Sequence, residues 1–188
     1  MFSPCAVVVN RVFFMDEIVA RARQFALQKH QGQKYGRYNY SVHLERVAEI
    51  LQTLGFNEPL TQAAAWLHDT LEDTQTTYEE LEANFGIEIA YAVWVISSPE
   101  SQDRITQIKT VLSRVMSSEI GLIVKLADRI ANTEASKANN PKLYEMYARE
   151  YPLFVQHLYQ PKNKRLLPLW ERLKAASHPE TEADRGYH

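Results

Sequence analysis

Two pairs of ionisable residues, His68-Asp69 and Glu72-Asp73, lie a helical turn apart and directly follow the apolar run Ala63-Ala64-Ala65-Trp66-Leu67. Charge set against the buried side of a helix must be paired, hydrogen-bonded or bound to a metal. His43 upstream and Asp128 downstream stand in similarly apolar helical surroundings. Together His43, His68, Asp69 and Asp128 offer two imidazoles and two carboxylates. Such a donor set suits manganese, iron(II), cobalt or zinc, whereas magnesium favours an all-oxygen shell. A divalent cation held there would activate water and polarise a phosphoryl oxygen without a serine or thiol nucleophile. The chemistry expected is metal-dependent hydrolysis of a phosphate compound.

Each residue also has a plainer use. A His-Asp dipeptide arises by chance, His43 could be a satisfied helix-face histidine, and Asp128 beside Arg129 could be a surface ion pair worth under about 1 kcal/mol. Glu72-Asp73 could merely end a helix before Thr74. The order of all six residues against apolar stripes favours the site. On a continuous helix His68 and Asp69 point about 100° apart, so they would share an ion from its flank. His68 would then stack over Glu72 and Asp69 over Asp73, leaving the second pair to face substrate or water.

The elements that must position these residues are helical. Asp16 is expected to cap a helix with Ile18, Val19, Ala22, Phe25 and Ala26 at three-to-four spacing, ending near His30. A polar, aromatic loop, 34–40, follows. Ser41 should cap a helix that Gly55 stops, and Pro59 should open a third that runs through His68-Asp69 to about Glu72. Thr77 and Glu80 form a capping box for a short helix closed by Gly86. Ile87 to Ile96 reads as a helix, with a strand as the alternative. Helices follow at Arg104–Met116, Glu119 to about Asn132, a long one from Asn140-Pro141 that Pro152 should kink or break, and Pro161–Ala176, interrupted at Pro168. The tyrosines between Tyr144 and Pro152 fit core packing or a protomer interface in a homo-oligomer.

The expectation is therefore an all-α, single-domain bundle over residues 16–176, with a loose extension at 1–15 and a disordered tail at 177–188. At 188 residues with 45% hydrophobic content, the chain is long enough for one well-buried core. A formal net charge of −2 argues against nucleic acid or an anionic membrane as partner, so a polyanionic substrate must meet a local cluster of cations or the metal. The single cysteine, Cys5, excludes an intramolecular disulfide and a thiolate zinc site, and fits a reducing cytoplasm. No apolar stretch approaches the roughly 20 residues of a membrane-spanning helix.

The ordered set His43, His68-Asp69 and Asp128 resembles that of the HD-superfamily phosphohydrolases. It is most similar to the hydrolase domain of RelA/SpoT proteins and to the small alarmone hydrolases of the metazoan SpoT-homologue type. The shared segments are Lys29-His30-Gln31-Gly32-Gln33, Tyr40-Ser41-Val42-His43, Ala64 to Thr74, Thr77-Tyr78-Glu79-Glu80 and Val124 to Arg129 with Asn132. The resemblance implies a helical HD bundle that removes the 3′-pyrophosphate of guanosine tetra- and pentaphosphate. It implies manganese on His43, His68, Asp69 and Asp128, with Glu72 and Asp73 handling the water and leaving oxygen, and Asn132 near the nucleoside. No room is left for the synthetase domain of the larger relatives.

Two departures fall on the substrate side. The loop before His43, Lys34-Tyr35-Gly36-Arg37-Tyr38-Asn39-Tyr40, has Tyr35 where the family carries a second basic residue and Asn39 in place of proline. Lys34, Tyr35 and Arg37 are the substrate-binding candidates there, with Tyr35 or Tyr38 able to stack on a base. After Asn132 stands Glu134 where an arginine is common, an acid that would weaken phosphate affinity if it faced the pocket. Another nucleotide or a phosphomonoester is accordingly the alternative substrate. A non-catalytic nucleotide- or metal-binding regulator is the alternative of another class, although retention of Glu72 and Asp73 argues against it.

Overall fold

A computed structural model describes residues 4–99 and 103–178. Within them the chain forms helices α1 (Pro4–Lys29), α2 (Ser41–Thr53), α3 (Pro59–Leu67), α4 (Thr70–Asp73), α5 (Tyr78–Phe85), α6 (Ile87–Ile96), α7 (Arg104–Val115), α8 (Glu119–Asn139), α9 (Pro141–Leu158) and α10 (Leu167–Ser177). A 3-10 turn at Lys164–Leu166 leads into α10. Strands β1 (Lys34–Tyr35) and β2 (Tyr38–Asn39) pair antiparallel between α1 and α2. The all-α expectation holds, apart from this hairpin in a segment expected to be a loop. Gly36, at φ +59, supplies its left-handed turn residue.

Helix α3 lies at the centre. Ala63, Ala64, Ala65 and Leu67 are fully buried, and the small side chains let α1, α2, α6 and α8 pack around it. Amphipathic α2 and α8 contribute Leu44, Val47, Leu51, Leu126 and Ile130 to the same core. Burial of each such side chain contributes about 1.5–3 kcal/mol. Ile87–Ile96 is helical, packed through Ile89, Ala90, Val93 and Ile96.

Several boundaries differ from the sequence expectation. α1 begins at Pro4, so Asp16 lies inside a helix and not at its start. No glycine or proline stands between Pro4 and Asp16 to stop propagation, and a first-turn proline is a natural start. Residues 1–3, and 179–188 of the expected tail, lie outside the described residues. α8 continues past Asn132 to Asn139, where Asn140 closes it and caps α9 by accepting from the Leu143 N–H. α9 passes through Pro152 without a break, the proline forgoing only the bond to the Ala148 carbonyl. Pro168 interrupts nothing, because it sits in the first turn of α10. No helix among the described residues is long and apolar enough to cross a membrane.

Candidate metal centre

The third helix does not run through to Glu72. It stops at Leu67, and His68 and Asp69 form a turn before α4. Local side chains explain the stop. Thr70 Oγ1 donates to the Leu67 carbonyl at 2.6 Å and His68 Nδ1 to the Ala65 carbonyl at 2.8 Å, occupying acceptors that further helix would use. Asp69 takes φ −98 and ψ 0, outside the ideal helix. This turn overcomes the 100° divergence of neighbouring helical residues. His68 Nε2 and Asp69 Oδ2 come within 2.8 Å of each other.

Two other helices complete the cluster. His43, buried on the first turn of α2, brings Nε2 to 3.1 Å from His68 Nε2 and 3.4 Å from Asp69 Oδ2. Asp128 on α8 places Oδ1 at 3.4 Å from His43 Nε2 and 3.8 Å from His68 Nε2. The ligand atoms of His43, His68 and Asp69 all lie within 4.8 Å of one another, close enough to hold one cation, and Asp128 stands beside the two imidazoles. The protonation pattern fits as well. With the His68 Nδ1 proton given to Ala65, its Nε2 lone pair faces the cluster, the usual outer support of a metal-bound imidazole. Two carboxylates balance a divalent charge.

The electrostatics call for positive charge at this point. Burial disfavours a charged His43, but Asp128 and Asp69 outweigh it and raise its pKa to about 9. His68 is raised likewise against its burial, chiefly by Asp69. Burial pushes Asp69 and Asp128 up, yet both are held below the usual carboxylate range, Asp69 mainly by His68 and Asp128 mainly by Lys125.

The cluster opens into a cleft of about 860 Å³, its mouth included. Glu72 and Asp73 both line it, and each is anchored by one oxygen: Glu72 Oε2 accepts from the Ser98 N–H at 2.8 Å, and Asp73 Oδ2 from Gln33 Nε2 at 3.1 Å. Asn132 also lines the cleft, but its amide is engaged on both sides. Nδ2 donates to Asp128 Oδ1 at 2.5 Å, and Oδ1 accepts from the Tyr35 hydroxyl at 2.9 Å. Tyr35 stacks on His43, with centroids 4.8 Å apart. Burial raises its pKa, so it remains a donor.

The structure does not bring Lys34 and Arg37 into the cleft. Lys34 Nζ donates to Asn39 Oδ1 across the hairpin at 2.8 Å, and the exposed Arg37 lies over the Tyr38 ring. Glu134 also faces elsewhere, paired with Arg46 and Arg172 at 3.0 and 2.8 Å, so it does not repel a phosphate in the cleft. Of the two cations flanking Asp128, Lys125 pairs with it at 3.2 Å. Arg129 is buried, bound to Glu150 at 2.6 Å and packed on the Tyr147 and Phe154 rings.

Sequence reasoning missed Tyr40, Arg104 and Tyr147, all in the cleft wall. The Tyr40 hydroxyl donates to Asp69 Oδ2 at 2.6 Å. Its place beside His43 in a shared segment was the one available signal. Arg104 and Tyr147 carry no mark in spacing or pattern.

The family model for the HD domain matches residues 22–166, most of the chain and every member of the cluster. The chain belongs to the HD-domain family. Among HD-domain relatives, it is 35% identical over 152 residues to a guanosine-3′,5′-bis(diphosphate) 3′-pyrophosphohydrolase of Spiroplasma citri, covering 74% of this chain but 20% of that protein. The chain thus spans about a fifth of the length of such bacterial relatives. A protein of the same description from Xenopus tropicalis is 30% identical over 140 residues, covering 71% of this chain and 78% of that one. This HD domain is therefore related both to the SpoT-type hydrolase domain and to the small metazoan alarmone hydrolases. The fold agrees: the structure of a metazoan orthologue of SpoT that hydrolyses ppGpp superposes with a TM-score of 0.72 at 22% identity, covering 84% of this chain and 94% of that one. A Listeria monocytogenes protein does so at 0.61, covering 73% and 92%.

Proposed function

We propose that the protein is a manganese-dependent nucleotide pyrophosphohydrolase that removes the 3′-pyrophosphate of a guanosine tetra- or pentaphosphate-like substrate. One observation carries the reading: the donors of His43, His68 and Asp69, with Asp128 beside them, converge where Glu72 and Asp73 line the same cleft. The names of the relatives support the substrate class. When bound, a divalent cation supplies Lewis acidity, lowering the pKa of water and polarising a phosphoryl oxygen. The protein's own groups do the rest. Ala65 orients His68, Tyr35 packs against His43, and Asn132 with Lys125 fixes Asp128. Glu72 and Asp73, each tethered by one oxygen, take the proton of the attacking water and return one to the leaving oxygen. Arg104 and Lys125, on the cleft wall, offer positive charge to phosphate oxygens.

A second substrate within the same chemistry, another nucleotide or a phosphomonoester, is favoured by the hairpin. Lys34 and Arg37 are turned to hairpin partners, and Tyr35 is the residue beside the cluster. The test is hydrolysis by manganese-loaded protein of guanosine tetraphosphate and a nucleotide panel. Pyrophosphate released from the 3′ position is expected; orthophosphate released from a monophosphate would select the second substrate. Asp69→Asn should remain folded and lose more activity than the roughly 10–100-fold typical of outer supporting residues. Full turnover by that variant would overturn the proposal.

A further inference from the structure

His30 is buried, at 5% exposure, yet it lies outside the cluster and outside the cleft wall. It sits where α1 ends, its N–H still bonded to the Ala26 carbonyl at 3.0 Å. Its ring stacks on Tyr40 with centroids 4.7 Å apart and planes 9° from parallel. Its Nδ1 lies 2.7 Å from Gln33 Oε1, and the same Gln33 amide holds Asp73 Oδ2 at 3.1 Å. The chemistry of the groups fixes the direction of this chain. A carboxylate only accepts, so Gln33 presents its NH₂ to Asp73 and its oxygen to His30, and the His30 proton must be on Nδ1. The other ring nitrogen, Nε2, is buried without a partner. A ring needed only to stack on Tyr40 would be better served by phenylalanine, which buries no orphaned nitrogen.

We propose that His30 and Gln33 are positioning residues: His30 Nδ1 locks the Gln33 amide, and the locked amide holds the Asp73 carboxylate at its working position in the cleft. His30 thereby supports two arms, one through Gln33 to Asp73 and one through the stacked Tyr40 to the ligand Asp69. The inference rests on the reading of Asp73 as a proton-transfer group, and deepens it by naming what aims that group.

The experiment separates the hydrogen bond from the stack, using full-length manganese-loaded protein and the substrate identified by the panel. Gln33→Met keeps the length and removes the amide. We expect kcat to fall about 10- to 100-fold, with KM, manganese affinity and melting temperature within about twofold or a few degrees of the parent. His30→Phe keeps the stack and loses the donor, and should fall similarly. His30→Asn places an N–H near the old Nδ1 and should recover most of the loss. Combining His30→Phe with Gln33→Met should cost no more than Gln33→Met alone, because the two act in series. Additive losses in that pair, or an unaltered kcat in Gln33→Met, would overturn the relay and leave the hydrolase intact. A parent protein inert towards every substrate would overturn both.

Discussion

At the residue scale the most exposed dependence is on Glu150. This carboxylate, 4% exposed, takes Arg129 Nη1 at 2.6 Å and Arg104 Nε at 2.9 Å. Replacing it with alanine strands the buried Arg129 charge and should destabilise the protein by about 3–5 kcal/mol in urea unfolding at neutral pH. The pH dependence has a definite sign. Burial alone would raise Glu150, but the hydrogen bonds from Arg104 and the charge of Arg129 outweigh it and hold its pKa below the ordinary 4.5. Its stabilisation is therefore complete above about pH 4.5 and drains away as pH falls towards the lower folded value. The gap between parent and Glu150→Ala should narrow correspondingly in acid. None of this was legible in the sequence, because Glu150 stands 46 and 21 residues from its partners. The convergence of His43, His68, Asp69 and Asp128 was legible, since metal-ligand chemistry is written in residue type and all four interrupt apolar stripes. The place of the hairpin cations was not legible: the loop's resemblance to the family's basic substrate segment marks Lys34 and Arg37, but a short polar neighbour and an aromatic ring in the same hairpin hold them.

At the element scale the periodicity located the helices, and the errors gathered where side chains override it. The turn at His68-Asp69 is the telling case: a repeat of apolar positions cannot reveal that Thr70 and His68 take up backbone acceptors and end the helix early. Pro152 and Pro168 show the converse, a helix tolerating a residue that usually ends one when its place is the first turn or one lost bond. A second test concerns the seating of α8, which carries Asp128. At Gly121 an added Cβ would lie 2.5 Å from Val95 Cγ2 and 3.1 Å from the Ala92 carbonyl of α6. Alanine improves helix propensity by about 1 kcal/mol, but the carbonyl cannot yield as a side chain can. Overpacking of about 1–3 kcal/mol should dominate, so Gly121→Ala is expected to lower the melting temperature. Calorimetry on the purified variant checks the sign, and a rise would mean that the two helices separate freely.

At the scale of the whole molecule, the four donors come from α2, the α3–α4 turn and α8, and meet only when the bundle is assembled. An ion bound by them is bound by the folded state alone, so binding and folding are linked. Manganese at about 100 times its dissociation constant should add about 2.7 kcal/mol to stability, seen as a rise in melting temperature that a chelator reverses. Asp69→Asn should abolish most of that rise, and an equal rise in the variant would place the ion elsewhere. The hairpin stands apart from this cooperative unit. Lys34, Tyr35, Tyr38 and Asn39 contribute nothing to the hydrophobic core, and Gly36 makes their turn without help from the bundle. Its sequence can therefore drift or be exchanged with little cost to foldability, and Tyr35 alone ties it to the reactive centre. Grafting the corresponding residues of another HD protein onto this turn, with Tyr35 kept because it packs on His43 and bonds Asn132, would then change the rim without disturbing the floor beneath it.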